Sequence, residues 1–581
     1  MAVTGKPRTQ KPDWQRSIDE QVATLTAHKR EWAETSIPRR VAYLLEIRGR
    51  VHAVAERWVD AGCRANGIDP ASPTAAEEWL AGPWALLYGI NCYVETLRQV
   101  ERHGTTRPPG KVRTRRDGQV VAEVFPADVF NRLLFNGVRG EVWMQPGITA
   151  AGLTKQMAAA YKQPRPAGAV ALVLGAGNVA SIAPMDVLHK LLTEHSVVLL
   201  KMNPVNDYLG PLFEEAFKPL IDAGFVAMAY GGADVGAHLA EHPGVEEIHM
   251  TGSARTHDAI VFGTGPEGEA RRAANQPVNV RRMSSELGNV TPLIVVPGSW
   301  DRKDVRFQAE NIVSTKVNNS GHNCIGTQVL VLPAEWELTQ ALLAEVERLL
   351  ESQPRAAYYP GAADRVATMA GHARATALTP AGAGAPHHVV VKALDPANQA
   401  EACFRDESFA SVLAVTELPG ADPGDFLRTA VKFCNETLWG TLGASVLVDP
   451  KTRKALGTAF DDALADLRYG SIGVNIWSGI GFALAPTTWG AFPGHALNDV
   501  QSGIGWVHNT YLFDRPQKSV VYGPFAEFPR SVTKGETSTA PKPPWFVTNR
   551  ASREVARRLV DFEADRSWKH IPGLVLAALR S

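Results

Sequence analysis

The sequence predicts an α/β protein built as a doubly wound parallel sheet joined to a second α/β domain. Three observations carry this expectation. Residues 168–204, "GAVALVLGAGNVASIAPMDVLHKLLTEHSVVLLKMNP", read as buried strand, glycine turn, helix and buried strand. The helix-then-strand alternation repeats in "YLGPLFEEAFKPLIDAGFVAMAYGG" and "VGAHLAEHPGVEEIHMTGS", the signature of a parallel sheet with crossover helices. A second alternating region runs from about 305 to 475, with strands such as "TQVLVLP" and "GASVLVDP" and the helix "LTQALLAEVERLLES".

The flanks read differently. Residues 14–104 place apolar side chains three and four apart and are expected to be helical, with no catalytic constellation among them. Alternation in "GQVVAEVFP" (118–126) predicts extended structure. "TPAGAGAP" (379–386) is expected as a surface loop, and "SVTKGETSTAPKPPW" (531–545) as a flexible linker ahead of an amphipathic terminal segment. The expected divisions are 1–285, 286–515 and a C-terminal extension at 516–581.

Bulk properties narrow the function. Sixty basic residues balance sixty acidic ones, which argues against a nucleic-acid or membrane-surface protein and favours small-molecule chemistry. The N-terminus lacks an apolar leader core and no stretch is long and apolar enough to span a bilayer, so a cytoplasmic protein is expected. Cys63, Cys92, Cys324, Cys403 and Cys434 are odd in number and widely spaced, without metal-ligand spacing, and are expected as reduced thiols with no metal.

The residues that carry chemistry begin with the glycine turn. Gly175, Gly177 and Ala180 fit a dinucleotide fingerprint at a strand-to-helix junction, and equally a tight turn. The following strand ends in Lys201 rather than in an acid. "MTGS" (250–253), "SSELGN" (284–289) and "NNSGHNC" (318–324) then follow in order.

That ordered set resembles the NAD(P)-dependent aldehyde dehydrogenase superfamily, whose runs are a Lys-Pro pair, Phe-Thr-Gly-Ser, Glu-Leu-Gly-Gly and Gly-Gln-x-Cys. "ESFASVLAV" (407–415) resembles its Glu-x-Phe-Gly-Pro-Val run, and "GVNIW" (473–477) its late Val-Asn turn; the likeness spans roughly residues 30–515. The resemblance implies that Cys324 is the nucleophile, Glu286 the general base and Asn178 an oxyanion donor. It implies that NAD or NADP is held by Lys201, Gly252, Ser253, Glu407 and Phe409, with the backbone of Leu287 and Gly288 beside it. A homodimer or homotetramer is implied too, with a hairpin around 118–165 serving assembly and the tail able to cover a neighbouring subunit.

The chemistry fits these residue types. A carbonyl carbon has no hydride to give until a thiolate converts it to a tetrahedral thiohemiacetal, and the thioester left after oxidation needs a base to activate water. The sequence departs from the family at His322, which stands for Gln, at Asn289, which stands for the second Gly, and at "KMNPVN", which lacks the acid common in NAD-specific members. "VFGTGPEGEARRAANQPVNVRR" (261–282) reads as an insertion beside the cofactor turn. His322 is expected either to lower the thiol pKa or to satisfy backbone.

The leading expectation is oxidation of an aldehyde to a carboxylic acid. Its rivals are a CoA-acylating aldehyde dehydrogenase or acyl-CoA reductase, a cysteine hydrolase using His322, and a non-catalytic relative. Tryptophans around 475–494 suggest an apolar or aromatic aldehyde if they wall the substrate, and core packing if they do not.

Overall fold

The computed structural model describes residues 12–164, 166–380, 383 and 385–580. The expected loop at 379–386 lies partly outside the described residues, at 381, 382 and 384. Among the described residues the strands form two sheets.

The smaller sheet has six strands in the order Gly503–Ile504, Arg282–Leu287, Glu247–Gly252, Val170–Leu174, Val197–Lys201 and Val226–Ala229. All pairs are parallel except the first. Strand order reverses direction at Val170–Leu174, so the carboxyl ends of that strand and of Glu247–Gly252 bound the crevice where doubly wound sheets take ligands. The long helices Asp13–Glu34, Ile37–Ala65 and Ala85–His103 share one hydrophobic core with this sheet. Trp32 donates its indole N–H to the Leu191 carbonyl (2.9 Å), fixing the first helix to the sheet's own helical layer.

The larger sheet has eleven strands. Seven are parallel, from Pro516–Tyr522 through Ser471–Val474, Gly443–Leu447, Pro292–Val295, Val329–Pro333 and Val412–Leu418 to His388–Leu394. Arg139–Met144 extends one side of it antiparallel to Pro516–Tyr522, and Val120–Phe125 follows antiparallel to Arg139–Met144.

Three expectations about organisation change here. The strand Arg282–Leu287 runs through the expected boundary at 286, because its ladder with Glu247–Gly252 continues to Leu287. Residues 516–581 are not an appendage: Val520 and Val521 are fully buried in a strand paired on both sides. Nor is 531–545 a flexible linker. Arg530 and Lys534 pair with Asp301 and Asp304, and Glu536 accepts the backbone N–H groups of Phe525 (2.9 Å) and Ala526 (3.4 Å), so the charged residues that gave the segment its linker-like composition are its anchors.

The last long helix, Ser552–Ala564, buries Val555, Ala556, Leu559, Val560 and Phe562 in the N-terminal helical core. Asn91 locks it there, donating from Nδ2 to both the Glu563 carbonyl (2.8 Å) and its carboxylate (2.7 Å). Removing one side of a buried polar pair costs the full desolvation of the other. Asn91→Ala is therefore expected to lower unfolding free energy by about 2–3 kcal/mol, read as a shift of the urea midpoint with an unchanged m-value.

Candidate active site

Cys324 follows a backbone path that few sequences can take. The helix Arg302–Val317 opens on a reciprocal capping pair between Asp301 and Asp304 and ends at Asn318. Asn319 (φ 51°), Ser320 (φ 54°) and Gly321 (φ 81°) are then all left-handed. Gly321 is required twice over: its φ is positive, and a Cβ there would lie 2.6 Å from the Ala410 carbonyl carbon and 2.7 Å from Ser411 N.

Surrounding groups hold this turn. Glu77 accepts the Asn319 N–H (2.8 Å) and is paired with Arg355 (2.8 Å). Tyr358 donates to Asn319 Oδ1 (2.6 Å), and Trp477 donates to the Ile325 carbonyl (3.0 Å). Asn178, from the loop after Val170–Leu174, donates from Nδ2 to the His322 carbonyl (2.9 Å). One amide hydrogen is thus spent on positioning, and the second is left for a ligand oxygen.

Glu286, Asn178 and Cys324 line one cavity of about 160 Å³. Burial raises the Glu286 carboxyl to about 8, with the Asp186 carboxylate adding to the rise, while Cys324 and Trp489 beside it pull the other way. Its Oε1 is buried without a hydrogen-bond partner. The Cys324 thiol is pushed well above its ordinary range by burial and by the neighbouring Glu286 and Glu407 carboxyls. Thiol and carboxyl are therefore both protonated at neutral pH, and whichever ionises first discourages the other.

Glu407 lies just ahead of the strand Val412–Leu418, on the connection from His388–Leu394. Its carboxyl oxygens lie 2.0–2.1 Å from where a Cβ on Gly288 would be, so only glycine admits it. Gln328 shapes this approach: Nε2 donates to the Cys403 (3.1 Å) and Asp406 (2.7 Å) carbonyls, and Oε1 accepts from Ser408 N (2.8 Å). Burial and Glu286 lift the Glu407 carboxyl to about 8, opposed by Lys316, whose own ammonium burial lowers to about 7. Lys316 was not singled out in the sequence; its lone signal is a lysine on the otherwise buried helix face leading to the cysteine.

Leu287 is buried and donates its N–H to Ser502 (2.8 Å), whose hydroxyl in turn bonds the Gly288 carbonyl (2.8 Å). Asn289, in place of a glycine, is buried and structural: Nδ2 donates to the Gly443 carbonyl (3.0 Å), and Oδ1 accepts from Thr291 (3.0 Å). Phe409 packs its ring on Tyr359 (5.0 Å) behind the cysteine turn. His322 is buried there too, with Nδ1–H donating to the Phe409 carbonyl (2.9 Å) and its ring against Tyr358 (4.8 Å). Burial depresses it to about 4, so it is neutral and occupied. Its Nδ1–H thus serves backbone, as the second reading of His322 expects, while Nε2 is buried without a hydrogen-bond partner.

The remaining predicted residues sit at the other end of the crevice. Lys201 ends its strand nearly buried, its ammonium lowered by that burial and supported by Asp207 and Asp234. Gly252 and Ser253 are exposed at the end of Glu247–Gly252, where Ser253 caps the helix Ala254–Phe262 by accepting from Thr256 N (3.2 Å). A helix N-terminus presented this way suits phosphate oxygens. The glycine turn does not: Asn203 fills the space beside Gly177, and Asn206 donates to the Ala176 carbonyl (2.9 Å). The orphaned Glu407 Oε1, the glycine beneath it and the capped helix make a fitting donor set for a dinucleotide stretched from one end of the crevice to the other.

A family model described as the aldehyde dehydrogenase family matches residues 144–481. The chain belongs to this family. Among curated relatives it is 30% identical over 186 residues to an N-succinylglutamate 5-semialdehyde dehydrogenase of Sphingopyxis alaskensis, covering 32% of this chain and 35% of that one. It is 26% identical over 295 residues to an aminoacetaldehyde dehydrogenase of Pseudomonas aeruginosa, covering 48% and 53%. The chain thus spans about half or less of the length of these curated relatives. A solved structure of an aldehyde dehydrogenase C mutant from Pseudomonas syringae, complexed with NAD+ and octanal, superposes with a TM-score of 0.58 at 17% identity, covering 88% of this chain and 89% of that one. At that identity the likeness is one of fold. In this chain the four remaining cysteines lie away from the cavity lining, three of them buried and one half-buried.

Because the imidazole is neutral and bonded through Nδ1, His322→Gln is expected to keep the pH dependence of turnover unchanged from about pH 6 to 9. A steady-state pH profile checks this, and a lost limb would make the imidazole a participant.

Proposed function

We propose that this protein oxidises an aldehyde to a carboxylic acid with NAD or NADP. The observation that supports it best is the convergence of Cys324, Glu286 and Asn178 on one cavity, with a thiol and a carboxyl that each depend on the other's protonation.

Glu286, once ionised, takes the Cys324 proton, and the thiolate sulfur attacks the carbonyl carbon. The resulting oxyanion is received by the free Asn178 amide hydrogen and the Cys324 backbone N–H, donors worth about 3–4 kcal/mol each where they are preorganised. NAD or NADP, when bound, would supply the acceptor for the hydride, while Asn178 and the Cys324 N–H hold the oxygen in place as the carbonyl reforms. Glu286 passes that proton to solvent and then takes one from water, whose oxygen attacks the thioester carbon; the C–S bond breaks, the acid leaves, and the Cys324 sulfur takes the proton back from Glu286. Lys201, Gly252 and Ser253 would hold the adenosine and diphosphate end of the cofactor, and Glu407 the nicotinamide ribose. Phe409 acts from behind the cysteine turn. The apolar walls of the cavity favour an apolar aldehyde, in keeping with the octanal bound by the Pseudomonas syringae protein. We assign pairing in a homodimer or homotetramer to the region around 118–165, whose strands Val120–Phe125 and Arg139–Met144 are themselves interior to the larger sheet.

The retained carboxyl at Glu286 favours hydrolysis over transfer to CoA, since a CoA thiol needs no activated water. The test is turnover of butanal with NAD or NADP, followed by absorbance of the reduced cofactor. Cys324→Ala is expected to abolish it, and Glu286→Gln to stop after at most one turnover with acyl-enzyme visible by mass; a need for CoA would overturn hydrolysis. Asn178→Ala should lower kcat by about 10²–10³. Since Glu286 is protonated below about 8, kcat should rise as pH passes through that value and the rise should vanish in single-turnover acylation of a pre-ionised thiol.

A further inference from the structure

The cavity at Cys324 is walled partly by the C-terminal segment, through Pro544, Trp545 and Phe546. A second cavity of about 260 Å³ adjoins it. Both are lined by Phe135, Val138, Ile476, Trp545, Phe546 and Leu559, so these side chains are a partition with one face in each chamber. Beyond it the outer chamber is closed by Leu574, Val575, Ala578 and Leu579 of the last helix, Ile571–Ala578, and its end. Val575 (41%) and Leu579 (68%) are exposed, as is Leu133 (44%) across the opening, which gives the outer chamber an apolar mouth.

The partition is attached to the catalytic machinery. Val547 donates its N–H to Ser314 Oγ (3.0 Å), Thr548 donates to Glu310 Oε2 (2.7 Å), and Lys542 pairs with Glu310 (2.8 Å). Ser314 and Glu310 lie on Arg302–Val317, the helix that delivers the cysteine turn. Trp545 differs from Trp477 and Trp32 in having a buried indole N–H with no partner, so packing alone holds its ring between the chambers.

Size sets the occupant. An apolar cavity of about 150 Å³ holds a molecule the size of benzene, so the inner chamber is filled by an aldehyde of about six carbons. A longer straight chain has apolar space available beyond Trp545, whereas a broad polycyclic body would meet the partition.

We propose that the two chambers form one channel for long straight-chain aldehydes, with the carbonyl at Cys324, the tail beyond Trp545, and the segment 541–579 setting chain-length preference. This rests on the aldehyde-oxidising reading above. The test compares the full-length wild type with Ala578→Trp, which fills the outer chamber, and Trp545→Ala, which removes the partition. Two readouts are taken: kcat/KM for straight-chain aldehydes from butanal to dodecanal, and calorimetric binding of hexan-1-ol and decan-1-ol, which needs no turnover.

In the wild type, kcat/KM is expected to keep rising beyond hexanal, by up to about fourfold per methylene buried, and decan-1-ol to bind more tightly than hexan-1-ol. Ala578→Trp should lower the dodecanal-to-butanal ratio of kcat/KM at least about tenfold and abolish the decan-1-ol advantage, while Trp545→Ala should raise the ratio. A wild-type profile flat above hexanal, or an Ala578→Trp variant with an unaltered ratio and unaltered alcohol binding, overturns the channel. Butanal turnover reports on the oxidising reading separately: if no aldehyde is oxidised, that reading fails, and the alcohol titrations alone decide the channel.

Discussion

The contact between Gly321 and the Ala410–Ser411 backbone is the constraint on which the site depends. A cysteine on an ordinary helix end would point along the helix; here three consecutive left-handed residues turn the chain back so that Cys324 faces the crevice between the sheets. Non-glycine residues in that region cost about 1–3 kcal/mol each, and two of the three are Asn319 and Ser320. The surroundings over-determine the path: Glu77 from the N-terminal helices, Asn178 from the cofactor sheet and Tyr358 from the larger domain each hold one atom of it. Asparagine tolerates the left-handed region better than most residues, and its side chain is spent on the Asn178 and His322 carbonyls.

The same convergence sets the electrostatics. Placing Cys324, Glu286 and Glu407 within mutual reach in a buried space raises all three toward their neutral forms. One buried cation, Lys316, offsets part of this, and its own charge is weakened by the same burial. A site of this kind carries little net charge at rest and gains one unit when a single proton leaves, which matches a chemistry that needs one thiolate and later one hydroxide, never both. His322, two residues from Cys324, is held neutral by burial, with its Nδ1–H committed to Phe409 and its ring packed on the tyrosines.

Much of this was legible from order alone. The strand-and-helix alternation located both sheets, and the ordered motifs singled out Glu286 and Cys324, which line one cavity although a strand and a helix separate them. What stayed hidden has a common cause. Glu77 meets Asn319 across 242 residues, and Val547 meets Ser314 across 233, so no local pattern links them. The segment 531–545 was misread because Thr, Lys and Pro score as linker when their partners, Asp301, Asp304 and Glu310, are out of view. Trp545 was lost for the same reason, while the tryptophans at 477 and 489 were noticed because they lie in the stretch that resembles the family.

Coupling between nucleophile and wall follows from that hidden set of contacts. The helix Arg302–Val317 is anchored at its start by Arg530 and Lys534, bonded along its flank by Val547 and Thr548, and continued at its end into the cysteine turn. Any displacement of the C-terminal segment is therefore felt by the element that aims Cys324, and a side chain shift at Trp545 is felt on both sides of the partition. The tail also reaches the N-terminal helices through Asn91 and Glu563. It thus ties together three parts of the chain that each supply one wall of the site, which is a reason for residues 516–581 to be folded into the body of the molecule.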